Sequence, residues 1–338
     1  MTTLLLTDHD VHALLPMAEC IDVMADALRQ VTEGSAVLPL RTVMRLGESP
    51  NAFASMPAIL GTGAGASLGA KIITVFPGND ATPFDAHIGV VLLFDAEFGT
   101  LLAIADASSI TAIRPSAVSG LATRYLANDD ASTLAILGAG VLAMPHLEAV
   151  CSVRPIRHVR VWSRSGAAVG SRAEVFATRA REQFAVQVTV CETVEQAVSD
   201  ADVVCTITSA RTPVLEGRWL RPGTHVNAVG ASMRTARELD TSAVVNARLF
   251  GDRRESVLAE SGDVLIPIAE GAISESHLLG ELGDLVTGRV NGRTSRDEIT
   301  LFKSLGLAVE DVAALRHIHT RATAVGRGST IEFGGLRA

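Results

Sequence analysis

Three basic residues in the first third of the chain stand inside apolar segments. Arg41 follows Pro-Leu, Lys71 lies in Gly-Ala-Lys-Ile-Ile, and Arg114 ends Ile-Thr-Ala-Ile-Arg. Removing a cation from water is costly unless an anion accompanies it, so each residue needs either a protein carboxylate or a bound anionic ligand. Both alternatives are open from the residues alone. The three are therefore candidates for holding a small anionic substrate.

A glycine pattern in the middle of the chain predicts a dinucleotide-binding turn. The apolar run 133–137 leads into Gly138-Ala139-Gly140-Val141-Leu142-Ala143. Gly138 permits a sharp turn, Gly140 lets the backbone approach a pyrophosphate, and Ala143 lets helix and strand pack closely. The amide groups at the start of the following helix would then face the phosphates.

The residues after the next strand favour NADP(H) over NAD(H). About 25 residues beyond the turn, the position that often carries an acidic residue for the ribose hydroxyls of NAD reads Ser163-Arg164. A hydroxyl and a guanidinium suit a 2′-phosphate instead. The alternative is an ordinary solvated arginine in a turn, with NAD(H) as the cofactor.

A second glycine-rich run, residues 61–69, is interpreted differently. No apolar strand is predicted before it, and the segment after it looks like a strand. A phosphate-binding loop needs the order strand, turn, helix. We therefore expect a flexible turn here.

Composition restricts the class of protein. The 338 residues exceed one ordinary core, which predicts about two domains, and the net charge of −8 argues against nucleic acid or an anionic membrane as a partner. Four cysteines without Cys-x-x-Cys spacing indicate reduced core residues, with neither a metal site nor a disulfide framework. The N-terminus has no signal-peptide pattern and the apolar runs are short, so we expect a cytoplasmic protein without membrane contact.

The elements that must position these residues form two patterns. Beyond residue 133, strand-like runs alternate with helical segments, which is typical of a doubly wound parallel α/β sheet. The strands are predicted at 134–137, 159–162, 186–190, 203–206, 225–229 and 249–251, and a helix at 170–184.

The N-terminal part is predicted to be a second, mainly antiparallel α+β domain. A helix at 17–32 precedes strands at 37–46, 70–76, 88–94 and 101–106, of which the last two form a hairpin. The C-terminal helix 309–322 could return to this domain. We therefore assign residues 1–115 and 309–338 to substrate binding and dimerisation, and 116–308 to dinucleotide binding.

Many short segments, in order over nearly the whole chain, match one known family. They are Pro39-Leu40-Arg41, Met56-Pro57, Gly69-Ala70-Lys71, Val75 to Asn79, His87, Val91 to Asp95, Ile110 to Arg114, Gly138 to Val141, Trp162-Ser163-Arg164, Asn227 to Ser232, Glu260 to Val264 and Phe302 to Gly306. Together they resemble the ornithine cyclodeaminase/mu-crystallin family.

The resemblance implies a homodimer with a shared β-rich interface and one nicotinamide cofactor in each subunit. It places Arg41, Lys71 and Arg114 in a clamp for the substrate carboxylate, with Lys71 also handling a proton. His87, Ser232 and Glu260 are further substrate-site candidates. The candidate cofactor contacts are Gly138, Gly140, Val141, Leu142, Ala143, Ser163, Arg164, Thr206 and Val229.

Departures from the family pattern help to choose among its activities. Ser232 stands where cyclodeaminases and alanine dehydrogenases resemble each other in having an aspartate, and a serine cannot serve as a carboxylate base at neutral pH. Ile88, Leu142 and Pro115 replace polar residues that are usual in the family, which implies a changed cofactor grip, a changed substrate or a weakened enzyme.

The resemblance, together with Ser163-Arg164 and Ser232, therefore implies an NADPH-dependent reductase that converts a cyclic ketimine carboxylate, such as pyrroline- or piperideine-2-carboxylate, to a cyclic amino acid. One alternative is a cyclodeaminase that converts ornithine to proline and ammonia, or an amino-acid dehydrogenase. Another is an NADP-dependent binding protein with little catalysis.

Overall fold

A computed structural model describes residues 2–335, and for residues 80 and 81 it describes the backbone only. The strands are β1 Thr2–Leu6, β2 Ala36–Val37, β3 Thr42–Arg45, β4 Ala52–Leu60, β5 Ser67–Val75, β6 His87–Asp95, β7 Leu101–Asp106, β8 Thr133–Leu137, β9 His158–Trp162, β10 Gln187–Val190, β11 Val203–Thr206, β12 His225–Ala228, β13 Ala247–Gly251, β14 Leu278–Glu281, β15 Ile299–Lys303 and β16 Ser329–Glu332. The α-helices are α1 Asp8–Leu14, α2 Met17–Thr32, α3 Ala107–Leu126, α4 Ala143–Cys151, α5 Arg172–Gln183, α6 Val194–Val198, α7 Thr241–Val245, α8 Arg254–Glu260, α9 Gly262–Ala269, α10 Leu282–Val286 and α11 Ala308–Val325.

The chain forms two compact units. The first comprises residues 2–114 and 306–335, and the second comprises residues 115–305. The boundary falls inside α3, which stays helical across Pro115. The roles that the sequence assigns to its two domains stay predictions.

The first unit is built on a mainly antiparallel sheet, as predicted. Its strand order is β16-β1-β7-β6-β5-β4-β2, with β3 also pairing β4, and the β1–β7 pair is parallel. Helix α11 packs on β4, β5 and β6, where Gly69 leaves room for Val312. This packing buries the first half of α11, including Glu310 and Asp311.

Two expectations for the first unit are wrong. The predicted strand 37–46 is two short strands, β2 and β3, separated at residues 38–41, where Pro39 has no N–H to give to a sheet. An apolar strand does precede the glycine-rich run 61–69, since β4 ends at Leu60 and pairs with β5 in an antiparallel hairpin. The run is still a turn between two strands, with a short 3₁₀ segment at Gly63–Gly65.

The second unit is a doubly wound parallel sheet, as predicted. Its order is β10-β9-β8-β11-β12-β15-β13-β14, and every pair is parallel. Strand β15, which the strand pattern did not identify, lies between β12 and β13. The register places Leu137, Trp162, Thr206, Ala228 and Lys303 at one edge of the sheet. Ligands of such sheets bind beyond the carboxyl ends of the strands, so this edge is the expected cofactor side.

All four cysteines are free thiols. Within residues 2–335 no helix is both long and apolar enough to cross a lipid bilayer. The described histidines, cysteines and carboxylates form no cluster of three or more that could hold a metal ion.

Candidate active site

Lys71 is buried in the first unit beside a carboxylate. Its side chain is 2% exposed, and its Nζ lies 3.0 Å from Oδ2 and 3.2 Å from Oδ1 of Asp311. Strand β5 directs Lys71 inward because alternate residues of this strand face the buried side. Burial and the nearby charge of Arg114 lower the pKa of Lys71 to about 8, against the opposing effect of Asp311. An amine with this pKa can both carry a charge and release a proton near neutral pH.

Asp311 also binds the second predicted cation. Arg114, on α3, donates from Nε to Asp311 Oδ1 at 2.9 Å and from Nη1 to Glu310 Oε2 at 2.5 Å. Although burial opposes the charged form, the two carboxylates raise the pKa of Arg114 above its usual value. The carboxylate of Asp311 therefore bridges Lys71 and Arg114.

Gly306 brings Arg41 to the same place. The Nη2 group of Arg41 donates to the carbonyl oxygen of Gly306 at 2.9 Å. Gly306 has φ +78°, and an added Cβ would overlap the guanidinium of Arg114. A glycine is needed here both for its backbone conformation and for space. The structure thus gathers Arg41, Lys71 and Arg114 in one cluster within the first unit.

His87 lies within electrostatic range of this cluster. It begins β6 opposite Val75, and its carbonyl oxygen accepts a hydrogen bond from Ser108 Oγ at 2.6 Å. Desolvation of the ring and the positive charge of Lys71 lower the pKa of His87 below its ordinary value. The ring is therefore neutral at physiological pH and can donate or accept a hydrogen bond.

Sequence reasoning missed Glu310 and Asp311. Both are fully buried, and they stand beside apolar residues at the start of α11. That is the same signal that singled out the basic residues, a charge inside an apolar run. Applied to acidic residues as well, it would have found them.

In the second unit, the turn after β8 has room for a phosphate group. Gly138 has φ +111°, and an added Cβ would lie 2.8 Å from the carbonyl oxygen of Ile207. At Gly140, in contrast, an added Cβ would meet no described atom within 4 Å. The backbone at Gly138 therefore packs against Ile207, while the backbone at Gly140 is open to a ligand, as a dinucleotide turn requires.

The helix that follows offers uncapped amide donors. Leu142 is the N-cap of α4 and makes no side-chain capping hydrogen bond, while Val141 is 75% exposed. Amide groups at a helix N-terminus favour an anion, so the residues present fit the pyrophosphate of a dinucleotide. The side chain of Leu142 packs with the apolar cluster that contains the buried Ala143.

A buried histidine supports this turn. His146, on α4, contacts the Leu142 carbonyl oxygen through Nδ1 at 2.8 Å, and its Nε2 lies 3.1 Å from Ser119 Oγ. Burial lowers the pKa of His146 to about 4, so the ring is neutral. A neutral ring can donate from Nδ1 and accept at Nε2.

Arg164 is available to a ligand at the end of β9. It is exposed, and no hydrogen bond or ion pair joins it to another residue in the described part of the chain. Ser163 is buried, with its Oγ 2.8 Å from Ser165 Oγ. Of these two side chains, that of Arg164 is the one exposed to solvent.

The remaining candidate residues lie at or beyond the same sheet edge. Thr206 is fully buried and donates to Glu238 Oε2 at 2.8 Å, and Val229 follows β12. Ser232 is exposed in the segment after β12, and Glu260 ends α8. The substrate and cofactor roles of these four residues stay predictions.

The comparisons with known proteins cover almost the whole chain. The profile of the Ornithine cyclodeaminase/mu-crystallin family matches residues 1–326. A Delta(1)-pyrroline-2-carboxylate reductase of Bacillus cereus is 35% identical over 331 residues, which are 98% of this chain and 100% of the relative. The ketimine reductase mu-crystallin of Mus musculus is 38% identical over 287 residues, covering 85% of this chain and 86% of the relative.

Solved structures show the same fold. The Delta(1)-pyrroline-2-carboxylate reductase of Thermococcus litoralis, in complex with NADH and L-proline, has a TM-score of 0.92 and 36% identity over 97% of this chain and 99% of its own. An archaeal alanine dehydrogenase dimer with bound NAD has a TM-score of 0.91 and 30% identity over 99% of this chain and 100% of its own. This protein therefore belongs to the ornithine cyclodeaminase/mu-crystallin family.

Proposed function

We propose that the protein reduces the C=N bond of a small cyclic ketimine carboxylate, of the pyrroline- or piperideine-2-carboxylate type, with NADPH as the preferred reductant. The observation that carries this proposal is the cluster of Arg41, Lys71 and Arg114 around Asp311 and Gly306. The reductases among its relatives support the class, an NAD(P)-dependent oxidoreductase acting on C=N.

The substrate carboxylate is assigned to the guanidinium groups. Asp311 and Glu310 hold Arg114 in place through Nε and Nη1, and Gly306 holds Arg41 through Nη2. Side chains held in this way lose little further freedom when a ligand binds, so more of the binding free energy is kept. Planar guanidinium groups also match the geometry of a carboxylate.

Lys71 is assigned the proton. Reduction adds a hydride to the imine carbon and a proton to the imine nitrogen. The hydride would come from a dihydronicotinamide cofactor when it is bound. With a pKa of about 8, Lys71 is largely protonated at pH 7 and can donate a proton from Nζ to the nitrogen. Its neutral amine then recovers a proton from water. Asp311 keeps Nζ in position through both steps.

The preference for NADPH rests on Arg164. This side chain is exposed at the end of β9 and has no partner within residues 2–335. A guanidinium at this position would attract a 2′-phosphate, whereas an acidic residue would repel it. Because the Thermococcus litoralis reductase binds NADH, the affinities of this protein for NADPH and NADH have to be compared directly.

We also propose that two copies associate through the sheet of the first unit. An archaeal relative is a dimer. In this protein, the sheet of the first unit and its connections expose the large apolar side chains of Val37, Val43, Met44, Leu46, Phe53 and Ile59. Light scattering after gel filtration gives the mass directly, and a monomer at micromolar concentration would contradict this assignment.

The decisive assay for the activity is consumption of NADPH with pyrroline-2-carboxylate and piperideine-2-carboxylate, run in parallel with NADH. We expect turnover with at least one of the two imines. The Lys71→Ala variant should lose turnover but still bind NADPH, and Arg316→Ala, an exposed cation on the same helix as Asp311, serves as the control. Ammonia released from ornithine without added reductant would favour a cyclodeaminase instead.

A further inference from the structure

A buried ion pair underlies the segment after β12 in the second unit. Lys303 Nζ donates to Asp263 Oδ2 at 2.9 Å and to the carbonyl oxygen of Ala231 at 2.6 Å, and both charged side chains are 1% exposed. Asp263 Oδ1 accepts the backbone N–H groups of Glu238 and Leu239 at 2.8 and 3.0 Å. A buried pair is tolerated when hydrogen bonds satisfy its remaining donors and acceptors, as they do here. The pair thus holds both ends of the segment 231–239.

Glu238 joins this segment to the one after β11. Its carboxylate is fully buried and accepts four hydrogen bonds, two of which come from Thr208 N and Thr208 Oγ1, both at 2.7 Å. The other two come from Thr206 Oγ1 at 2.8 Å and Gly230 N at 2.7 Å. An added Cβ at Gly230 would lie 2.6 Å from Glu238 Oε1 and would overlap Thr208. Glycine is therefore the residue that lets these two segments meet.

The joined segments lie on one side of the glycine turn. The turn after β8 rests on Ile207 through Gly138, and β11 and β12 follow β8 in the sheet. In a doubly wound dinucleotide fold, the adenosine half of the cofactor binds at the turn after the first strand and at the end of the next strand. In this protein those two strands are β8 and β9. The segments after β11 and β12 consequently serve the nicotinamide half.

We propose that Glu238, supported by the Lys303–Asp263 pair, is the positioning residue that shapes the nicotinamide half of the cofactor site. Its carboxylate acts through Gly230 and Thr208 and does not touch the cofactor. This inference rests on the proposed use of a nicotinamide cofactor. It adds a group whose loss should misplace the nicotinamide and leave the adenosine half of the site intact.

The test compares two ligands on the same variants. The Glu238→Gln variant keeps the shape of the side chain but turns an amide donor toward groups that are donors themselves. Losing these hydrogen bonds should displace Gly230 and Thr208, so we expect NADPH affinity to fall at least about 10-fold. Affinity for 2′-phospho-ADP-ribose, which lacks the nicotinamide, should stay within about 2-fold of wild type, since the adenosine half is unchanged.

Two further variants keep the comparison sharp. Thr208→Val removes one donor to Glu238 and should give a smaller loss in the same direction, which covers the case in which Glu238→Gln does not fold. Asp202→Asn is the matched control, because Asp202 holds Ser132 N at 2.8 Å and Thr133 N at 2.9 Å at the opposite edge of the sheet. It should leave the ratio of the two affinities unchanged.

Calorimetric titration of both ligands decides the outcome. An equal loss of affinity for NADPH and for the fragment in Glu238→Gln and Thr208→Val, or no loss for either ligand, would overturn the inference. The measurement does not involve an imine. A wild-type protein that binds NADPH but reduces no imine therefore refutes the proposed reaction while the affinity ratio still tests Glu238.

Discussion

Raising the pH should stabilise the wild-type protein relative to a Lys71→Met variant. Lys71 has a pKa of about 8 in the folded protein, against an ordinary value of 10.5, because burial and Arg114 disfavour its charge. Below about pH 8 the amine is protonated in both the folded and the unfolded chain. Between about pH 8 and 10.5 the unfolded chain binds more protons, so the free energy of unfolding rises with pH.

The size of the effect follows from the two pKa values. Each pKa unit corresponds to about 1.4 kcal/mol, so the full difference is about 3 kcal/mol, of which about 2 kcal/mol falls between pH 7.5 and 9.5. Urea unfolding followed by circular dichroism at several pH values would measure it. The wild type should gain this stability over Lys71→Met, whereas Arg316→Ala should follow the wild type.

Two parallel stability curves for wild type and Lys71→Met would refute this reasoning, because Lys71 would then titrate alike in both states. The same ionisation bears on catalysis. If the ammonium group of Lys71 supplies the proton, kcat/KM for the imine should fall as the pH rises above about 8.

Three other perturbations have defined outcomes. Arg164→Ala should lower the affinity for NADPH by roughly 10-fold or more and the affinity for NADH by roughly 2-fold or less, because a charge-assisted contact to the 2′-phosphate is lost. Fluorescence titration would measure both affinities, and equal losses would indicate a structural arginine. Gly306→Ala should raise KM for the imine and lower the melting temperature, since its Cβ would displace the guanidinium of Arg114. The wild type should lose about 2–3 kcal/mol of unfolding free energy between pH 6.5 and 4.5, because the His146 ring stays neutral in the folded protein while it is protonated in the unfolded chain. Replacing His146 by glutamine should reduce this loss, as urea unfolding at several pH values would show. The same loss in both proteins would count against this reasoning.

The parts of the fold that local pattern determines could be predicted from the sequence. The alternation of strands and helices after residue 133 predicted the parallel sheet, and helix α2 begins and ends as expected. The failures have physical causes. In the second unit, strands β14 and β15 were both missed, and β15 follows a long irregular connection. In the first unit, the segment 38–41 interrupts a predicted strand because proline has no N–H to give to a sheet.

The candidate site could be predicted only in part, for a related reason. Charges in apolar runs identified Lys71 and Arg114, but their shared partner Asp311 lies 240 and 197 residues further along the chain. No local pattern shows which distant residues a fold brings together. For Lys71 and Arg114, the carboxylates of α11 are the partners that the sequence left open. A bound anion at these cations remains a proposal.

In each of the two units, a buried carboxylate orients hydrogen-bond donors. Asp311 takes hydrogen bonds from Lys71 and Arg114, and Glu238 takes them from Thr208 and Gly230, so each fixes the direction of its donors. Under the proposed function, these donors face or lead to a ligand. Donors that are already oriented need no reorganisation when charge develops in the transition state, which is where most electrostatic catalysis originates. Substituting either carboxylate should therefore lower kcat per folded molecule. A general loss of stability would also lower the apparent kcat and leave KM unchanged, so the rate of each variant must be divided by its folded fraction, measured by circular dichroism.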